Sequence, residues 1–234
     1  MKSGILTNKT IEELNKSNES YLLFMENNKL FLKSKIHKDW LPFCIDFSDK
    51  ELLRRKEDKN QEIIKAIGIK NDYKPKILDT TAGLGRDSFI LANFGCQVVM
   101  LERNPIIYLL LSNALENANS SAITNNLELI NTDSIKYLQK LKETFDVIYI
   151  DPMFPKTKKS RLVKKDMQIF REIVGDDFDS GKLLELALQQ NVKRVVVKRM
   201  RKSDFLLNKK PNFEIIGNTT RFDVYTPNNN KILE

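Results

Sequence analysis

The chain predicts an α/β fold: a doubly wound, mostly parallel sheet with helices on both faces, an antiparallel C-terminal pair, and a small β-containing N-terminal extension. Three observations carry this. From Lys76 onward short apolar runs alternate with amphipathic stretches; glycine or proline punctuates the joins; and Val195 to Val197 is continuous and β-branched, as a strand buried on both faces should be. The 234 residues suffice for one large domain with an appendage, divided here as an extension over 1–50 and a domain over 51–234.

Each element has its own signal. Tyr21 to Met25 and Lys29 to Lys33 are apolar-rich runs separated by Glu26, Asn27 and Asn28, the pattern of a β-hairpin with a polar turn. Asp49 to Ala66 is highly charged, with Leu52, Leu53, Ile63 and Ile64 widely spaced, and Gly68 stands where a helix cap is expected, so this is an interrupted helix. Ile77 to Asp79 is a short buried strand, followed by a glycine-containing turn and a helix over Arg86 to Asn93 that Gly95 closes. Gln97 to Leu101 is the second strand, and Pro105 opens a helix running through Leu109, Ala114 and Asn117. Leu127 to Ile130 and Phe145 to Ile150 are the third and fourth strands. Lys159 to Val174 places Val163, Met167, Phe170 and Val174 at helical spacing, so one face packs and the lysines point away. Val195 to Val197 is the fifth strand; Phe213 to Ile216 and Arg221 to Tyr225 form the terminal antiparallel pair.

Composition excludes several classes. The apolar run Ile106 to Leu111 is far too short to cross a bilayer, so no membrane partner is expected, and the N-terminus builds no apolar signal segment, which points to the cytosol. Two cysteines and one histidine provide neither a disulfide framework nor a zinc cluster, so no metal is expected. His37 reads as a surface or packing residue, Trp40 as filler of the small N-terminal core, and Cys96 as a small buried hydrophobe.

The net charge of +8 is concentrated. Between Phe154 and Arg171 seven Lys or Arg residues stand against one Asp, and between Lys193 and Lys210 eight stand against one. Such runs suit a polyanion, whose phosphates are met by positioned cations with release of counterions. Lys158, Lys159, Arg161, Lys164 and Lys165 in the first run, and Lys198 and Arg199 in the second, are the candidate nucleic-acid-binding residues. A solvated charged surface is the plainer alternative.

In a doubly wound sheet the ligand sits at the carboxyl ends of the strands. The first such end is Asp79-Thr80-Thr81-Ala82-Gly83-Leu84-Gly85-Arg86-Asp87, where Gly83 and Gly85 allow close backbone approach and Asp79 organises the loop amides. Ser88 occupies the third-glycine position of a dinucleotide fingerprint, and no phosphate-binding GxxxxGK[ST] loop occurs. Glu102 ends the second strand, where an acid accepts from both hydroxyls of a ribose; Asp133 and Ser134 follow the third, positioned for an adenine or simply as a helix cap. The fourth strand ends in Asp151-Pro152-Met153-Phe154-Pro155. An exocyclic amine on a base is a poor nucleophile because its lone pair is delocalised. It needs a carboxylate such as Asp151 and a nearby carbonyl to accept its N–H groups, and an aromatic such as Phe154 to stack on the ring. Pro152 and Pro155 fix that loop; the plain alternative is a rigid turn around a buried aromatic.

The blocks DTTAGLGRD, LERNP, YIDPMFP, KSRLVKKDM, KRVVVKR and RFDVY, in this order and spacing between Lys65 and Tyr225, resemble the small-subunit ribosomal RNA methyltransferase J family. The resemblance implies a Rossmann-like class I methyltransferase fold, S-adenosylmethionine as cofactor, and transfer of its methyl group to guanine N2 of 16S rRNA, with the rRNA or the small subunit as partner. It implies further that Arg86, Asp87, Glu102, Arg103, Asp133, Ser134 and Asp151 contact the cofactor or its surroundings, so Asp151 carries two candidate roles. Where the family has a glycine-rich basic stretch before the first strand, this chain reads Arg54-Arg55-Lys56-Glu57-Asp58-Lys59-Asn60. Other readings stay open at this level: an amine methyltransferase acting on DNA or another RNA, a non-catalytic RNA-binding assembly factor, and, weakest because of Ser88, a nicotinamide dehydrogenase.

Overall fold

Asn27 and Asn28 both adopt positive φ, 49° and 64°, and so form the tight turn that matches the right-handed twist of a two-residue hairpin. They join β1 (Tyr21–Glu26) to β2 (Lys29–Ser34) in an antiparallel pair. The computed structural model describes residues 8–118, 120–153, 165–175 and 179–227. Ahead of the hairpin lies α1 (Asn8–Ser17), which the sequence reading does not assign; its Asn15 side chain accepts from Leu23 N and donates to Leu23 O, tying the helix to β1. The predicted interrupted helix is α2 (Lys50–Glu57) and α3 (Glu62–Ile67), and Gly68 ends it in the left-handed conformation, φ 83°.

The main domain follows as β3 (Ile77–Asp79), α4 (Arg86–Asn93), β4 (Val98–Glu102), α5 (Pro105–Glu116), α6 (Ser121–Thr124), β5 (Leu127–Asn131), α7 (Ser134–Gln139), β6 (Val147–Ile150), α8 (Lys165–Val174), α9 (Ser180–Gln189), β7 (Arg194–Met200), β8 (Phe213–Ile216) and β9 (Thr220–Tyr225). Pro105 takes the first helical position of α5, behind an Asn104 side chain that accepts from Ile106 N and Ile107 N. The fourth strand starts at Val147 rather than Phe145; just ahead of it the Asp146 backbone donates to Lys76 O and its side chain accepts from Lys76 N. The short helices α6 and α7, and α9, are further elements that the sequence reading passes over. Yet α9 is what a parallel β6–β7 pair demands, since that crossover needs a long connection.

The seven strands of the main sheet lie in the order β5-β4-β3-β6-β7-β9-β8, with β3 to β7 parallel and β7-β9-β8 antiparallel. The chain winds outward from β3 to β5 and then returns beside β3 with β6. That reversal opens a crevice at the carboxyl ends of β3 and β6.

Alternate strand residues enter two separate cores. Ile77, Val98, Met100, Val147, Tyr149 and Val196 face α3, α4, α5 and the hairpin, while Leu78, Val99, Leu101, Ile148, Ile150, Val195 and Val197 face α7 and α9. Each such aliphatic side chain, fully buried, contributes about 1.5–3 kcal/mol. The hairpin shares the first core: Leu30 N donates to Asn113 Oδ1 at 2.7 Å, and Asn113 Nδ2 donates to Asn28 O at 3.1 Å, so one buried side chain on α5 holds both strand and turn. Among the described residues no helix is long and apolar enough to cross a membrane.

Candidate active site

A pocket of about 370 Å³ occupies the crevice. That is the size of a nucleoside-scale ligand site. Its floor begins with Asp79, which is buried as the last residue of β3; its carboxylate accepts from Ser88 Oγ at 2.5 Å and Thr81 N at 3.0 Å. Burial pushes this carboxyl up to about 7, against those two hydrogen bonds. Thr80 N and Oγ1 both donate to Tyr149 O, and Thr81 Oγ1 accepts from Asp151 N at 2.6 Å, so the turn after β3 is sewn to the end of β6.

Gly83 and Gly85 both hold positive φ, 51° and 68°. A Cβ on Gly83 would stand 3.0 Å from the Phe170 ring, and one on Gly85 would stand 2.6 Å from Leu111 Cδ1. The glycine requirement at Gly85 therefore comes from packing against α5 as well as from conformation, not from ligand approach alone. Gly83 N donates to Glu102 Oε2 at 3.1 Å and Asn104 N to Oε1 at 2.7 Å, which orients the buried Glu102 carboxylate at the pocket wall. Asp133 caps α7 by accepting from Lys136 N at 3.0 Å, and Ser134 Oγ donates to Thr80 O at 2.5 Å. Both still line the pocket, so the capping and ligand-side readings coexist. Arg103 reaches across the rim to Asp179 at 2.6 Å, and Arg86 lies on the wall at the start of α4.

Beside Asp151, at the other end of the crevice, lies a cluster of charges. Lys198 Nζ stands 2.7 Å from Asp87 Oδ2 and 2.8 Å from Asp151 Oδ2; Tyr149 Oη donates to Asp87 Oδ2 at 2.9 Å, and Arg55 Nη2 to Asp87 Oδ1 at 3.0 Å. Parity explains the convergence: Tyr149 and Asp151 share one face of β6, and Lys198 follows Val196 on the same face of β7, which is the face α4 covers. Burial acts to raise the Asp87 carboxyl, but Lys198 and Arg55 outweigh it and hold the group well below the usual carboxylate range. Burial likewise acts to lower Lys198, and Asp151 and Asp87 more than reverse it. Tyr149 is pushed well up by burial and by the nearby carboxylates, so it stays a hydrogen-bond donor.

The pocket thus gathers the predicted Asp79, Gly83, Arg86, Asp87, Glu102, Arg103, Asp133, Ser134, Asp151 and Pro152, while Gly85 packs immediately behind it. Phe154, Lys158, Lys159, Arg161 and Lys164 lie outside the described residues, and Lys165 begins α8. Lys198 departs from its expected role. It is not part of an outward basic face; it sits in the pocket between two carboxylates, because β7 turns that position inward. Arg199 points the other way and its Nη2 donates to Asp204 O. Two more members of the second basic run have partners within the protein: the exposed Lys193 pairs with Asp146, and Arg194 donates to Lys65 O and Ala66 O of α3. Arg55, Tyr149 and Lys198 are the site residues that sequence reasoning misses in these roles. Arg55 comes from the very stretch that lacks the family's glycines, and Tyr149 is signalled only by lying two positions before Asp151.

The acidic acceptors at the ends of β4, β5 and β6, joined by a strand-to-helix turn whose backbone is exposed to the pocket, fit S-adenosylmethionine. Glu102 suits ribose hydroxyls, and the apolar Phe170, Val174 and Leu183 supply the wall beside them. Among the described residues no group of three or more His, Cys, Asp or Glu is placed to hold a metal ion.

A family model described as a putative SAM-dependent methyltransferase matches residues 6–227. A protein of Coxiella burnetii (strain RSA 493 / Nine Mile phase I) named ribosomal RNA small subunit methyltransferase J is 46% identical over 217 residues, covering 91% of this chain and 85% of its own length. The protein of the same name from Hahella chejuensis is 40% identical over 217 residues, covering 88% of this chain and 80% of its own length. A solved SAM-dependent methyltransferase from Neisseria gonorrhoeae superposes with a TM-score of 0.74 at 28% identity, covering 98% of this chain and 97% of that one.

Proposed function

The chain belongs to the ribosomal RNA small subunit methyltransferase J family, and from that premise we propose that it transfers the methyl group of S-adenosylmethionine to the exocyclic N2 amine of a guanine in the 16S rRNA of the small ribosomal subunit. The observation that carries this reading is that Asp151, Pro152 and Met153 line the same pocket as Glu102 and the Gly83 turn. A carboxylate suited to an amine and one suited to a ribose therefore share one crevice.

When bound, S-adenosylmethionine supplies a methyl group on a sulfonium that is already a good leaving group. The protein's work is then positioning. Glu102 receives the ribose hydroxyls, Asp133 and Ser134 border the adenine, and Asp79 with the Gly83–Arg86 turn supports the remainder. Asp151 accepts one N–H of the target amine and favours the positive charge that grows on nitrogen as the new N–C bond forms. The proton leaves the nitrogen after transfer, so Asp151 need not be a strong base. Phe154 is the aromatic we assign to stacking on the base, and Lys158, Lys159, Arg161, Lys164 and Lys165, with Arg199, are assigned to rRNA phosphates.

The test is Asp151→Ala, assayed by radiolabelled methyl transfer to 30S subunits and to naked 16S rRNA, with calorimetric titration of S-adenosylmethionine and of a nicotinamide dinucleotide as control. Transfer should fall by about 100-fold or more while cofactor affinity is retained. An undiminished rate refutes the amine-holding role. Loss of cofactor affinity in step with the rate moves Asp151 to the cofactor side of the site.

A further inference from the structure

Lys198 is the only cation among the described residues that contacts both Asp87 and Asp151. Its ammonium divides its hydrogen bonds between Asp151 Oδ2 at 2.8 Å and Asp87 Oδ2 at 2.7 Å. Asp87 is itself anchored on its remaining sides by Tyr149 Oη and Arg55. Lys198 is thus backed by a rigid, buried acceptor on α4 and presents its charge to a carboxylate at the open end of β6. The pairing follows from strand register. Ile150 lies opposite Val197, so the next residues meet: Asp151 just past the end of β6, and Lys198 within β7, which runs on beside β9.

We propose that Lys198 is a positioning residue for methyl transfer: anchored by Asp87, it holds the Asp151 carboxylate ionised and fixed at the pocket wall where the target amine is received. The inference rests on the reading of Asp151 as acceptor of that amine. Its physical basis is charge crowding. Among the described residues, the groups around Asp151 include Lys198 from β7, Asp79 from β3, Tyr149 from its own strand and Asp87 from α4, with Arg55 of α2 paired to Asp87. Without Lys198, Asp151 loses the cation 2.8 Å from its Oδ2 while the acidic Asp79 and Asp87 and the phenolic Tyr149 stay close, and that crowding favours uptake of a proton. A protonated Asp151 presents a donor to an amine that also offers donors. Its remaining carbonyl oxygen is a weaker acceptor, and the negative charge that favours the developing positive nitrogen is lost even with the side chain in place.

The experiment compares the wild-type protein with Lys198→Met, Lys198→Arg and Asp151→Ala, measuring kcat against pH on 30S subunits lacking the modification, S-adenosylmethionine affinity by calorimetry, and thermal melting. Lys198→Met should lose about 100-fold in kcat near neutral pH. Its acidic limb should move upward by about one pH unit or more, so that the deficit narrows as the solution is made alkaline. Lys198→Arg, which keeps the charge, should retain the wild-type limb and most of the rate. A Lys198→Met deficit that is uniform with pH, or one that follows lost cofactor affinity or lost melting temperature, overturns the positioning role. Full activity in Asp151→Ala overturns the underlying reading of Asp151 instead. Inactivity of Asp151→Ala with an unshifted limb in Lys198→Met overturns only the role of Lys198.

Discussion

Two aspartates within one site are pushed in opposite directions by their surroundings. Asp79 is walled in by β3 and α4 with hydrogen bonds but no cation, and its carboxyl rises to about 7; Asp87, eight residues later, has Lys198 and Arg55 against it and is held low. The sign of the consequence for stability follows. An unfolded Asp79 ionises near 3.8, whereas the folded one keeps its proton to about 7, so across that window the native state binds more protons and its stability falls as pH rises. Asp79→Asn removes this titration while the amide oxygen still accepts from Thr81 N. In urea unfolding between about pH 5 and about pH 7, the wild type should lose stability relative to the variant by on the order of 1.4 kcal/mol per pH unit. Parallel slopes for the two proteins would show that Asp79 does not hold its proton. Asp79, Glu102 and Asp151 are legible as candidates because each ends an apolar run that reads as a buried strand. Lys198 is misread for a reason equally local: a lysine at the end of such a run looks the same whether it leans outward to solvent or inward to a carboxylate.

Elements are legible where their signals are local. Two asparagines between apolar runs specify the hairpin turn, Pro105 opens α5, and Gly68 closes α3. The helix α9 escapes such a reading, although its Leu183, Leu184, Leu186 and Ala187 bury one face. Its necessity comes from the crossover between two parallel strands, which is a property of the pair and not of the segment. The hairpin's attachment is also non-local. Asn113 lies 83 positions from Leu30 and is its buried amide's acceptor. Asn113→Leu should therefore lower the unfolding free energy by about 1–3 kcal/mol, since it strands the buried Leu30 N–H, whereas the exposed Asn28 carbonyl keeps the Asn117 Nδ2 donor. Chemical denaturation measures this, and an unchanged midpoint would mean that the hairpin is held by its apolar face alone.

For the molecule as a whole, charge concentration overstates what is free to meet phosphates. The second basic run spends Arg194 and Lys198 on internal partners and pairs the exposed Lys193 with Asp146, while Arg201, Lys202, Lys209 and Lys210 stay exposed. It therefore offers fewer cations than its count suggests, and the run from Lys156 to Arg171 stays the first candidate to test. Replacing Lys158, Lys159, Lys164 and Lys165 with Ala should weaken rRNA binding and flatten the slope of log affinity against log salt, by about 0.7 for each phosphate of single-stranded RNA that the variant no longer neutralises. Filter binding across a salt series checks it, and identical slopes would return those lysines to ordinary surface. The alternation of strands and helices, the acidic strand ends and the family they resemble are all readable from the chain, because burial periodicity and turn chemistry are written in consecutive residues. That Arg55, Asp87, Tyr149, Asp151 and Lys198 form one partly buried charge network is readable only from the folded molecule. Strand order and register bring together positions up to 143 residues apart, and no local pattern encodes which carboxylate a given cation will meet.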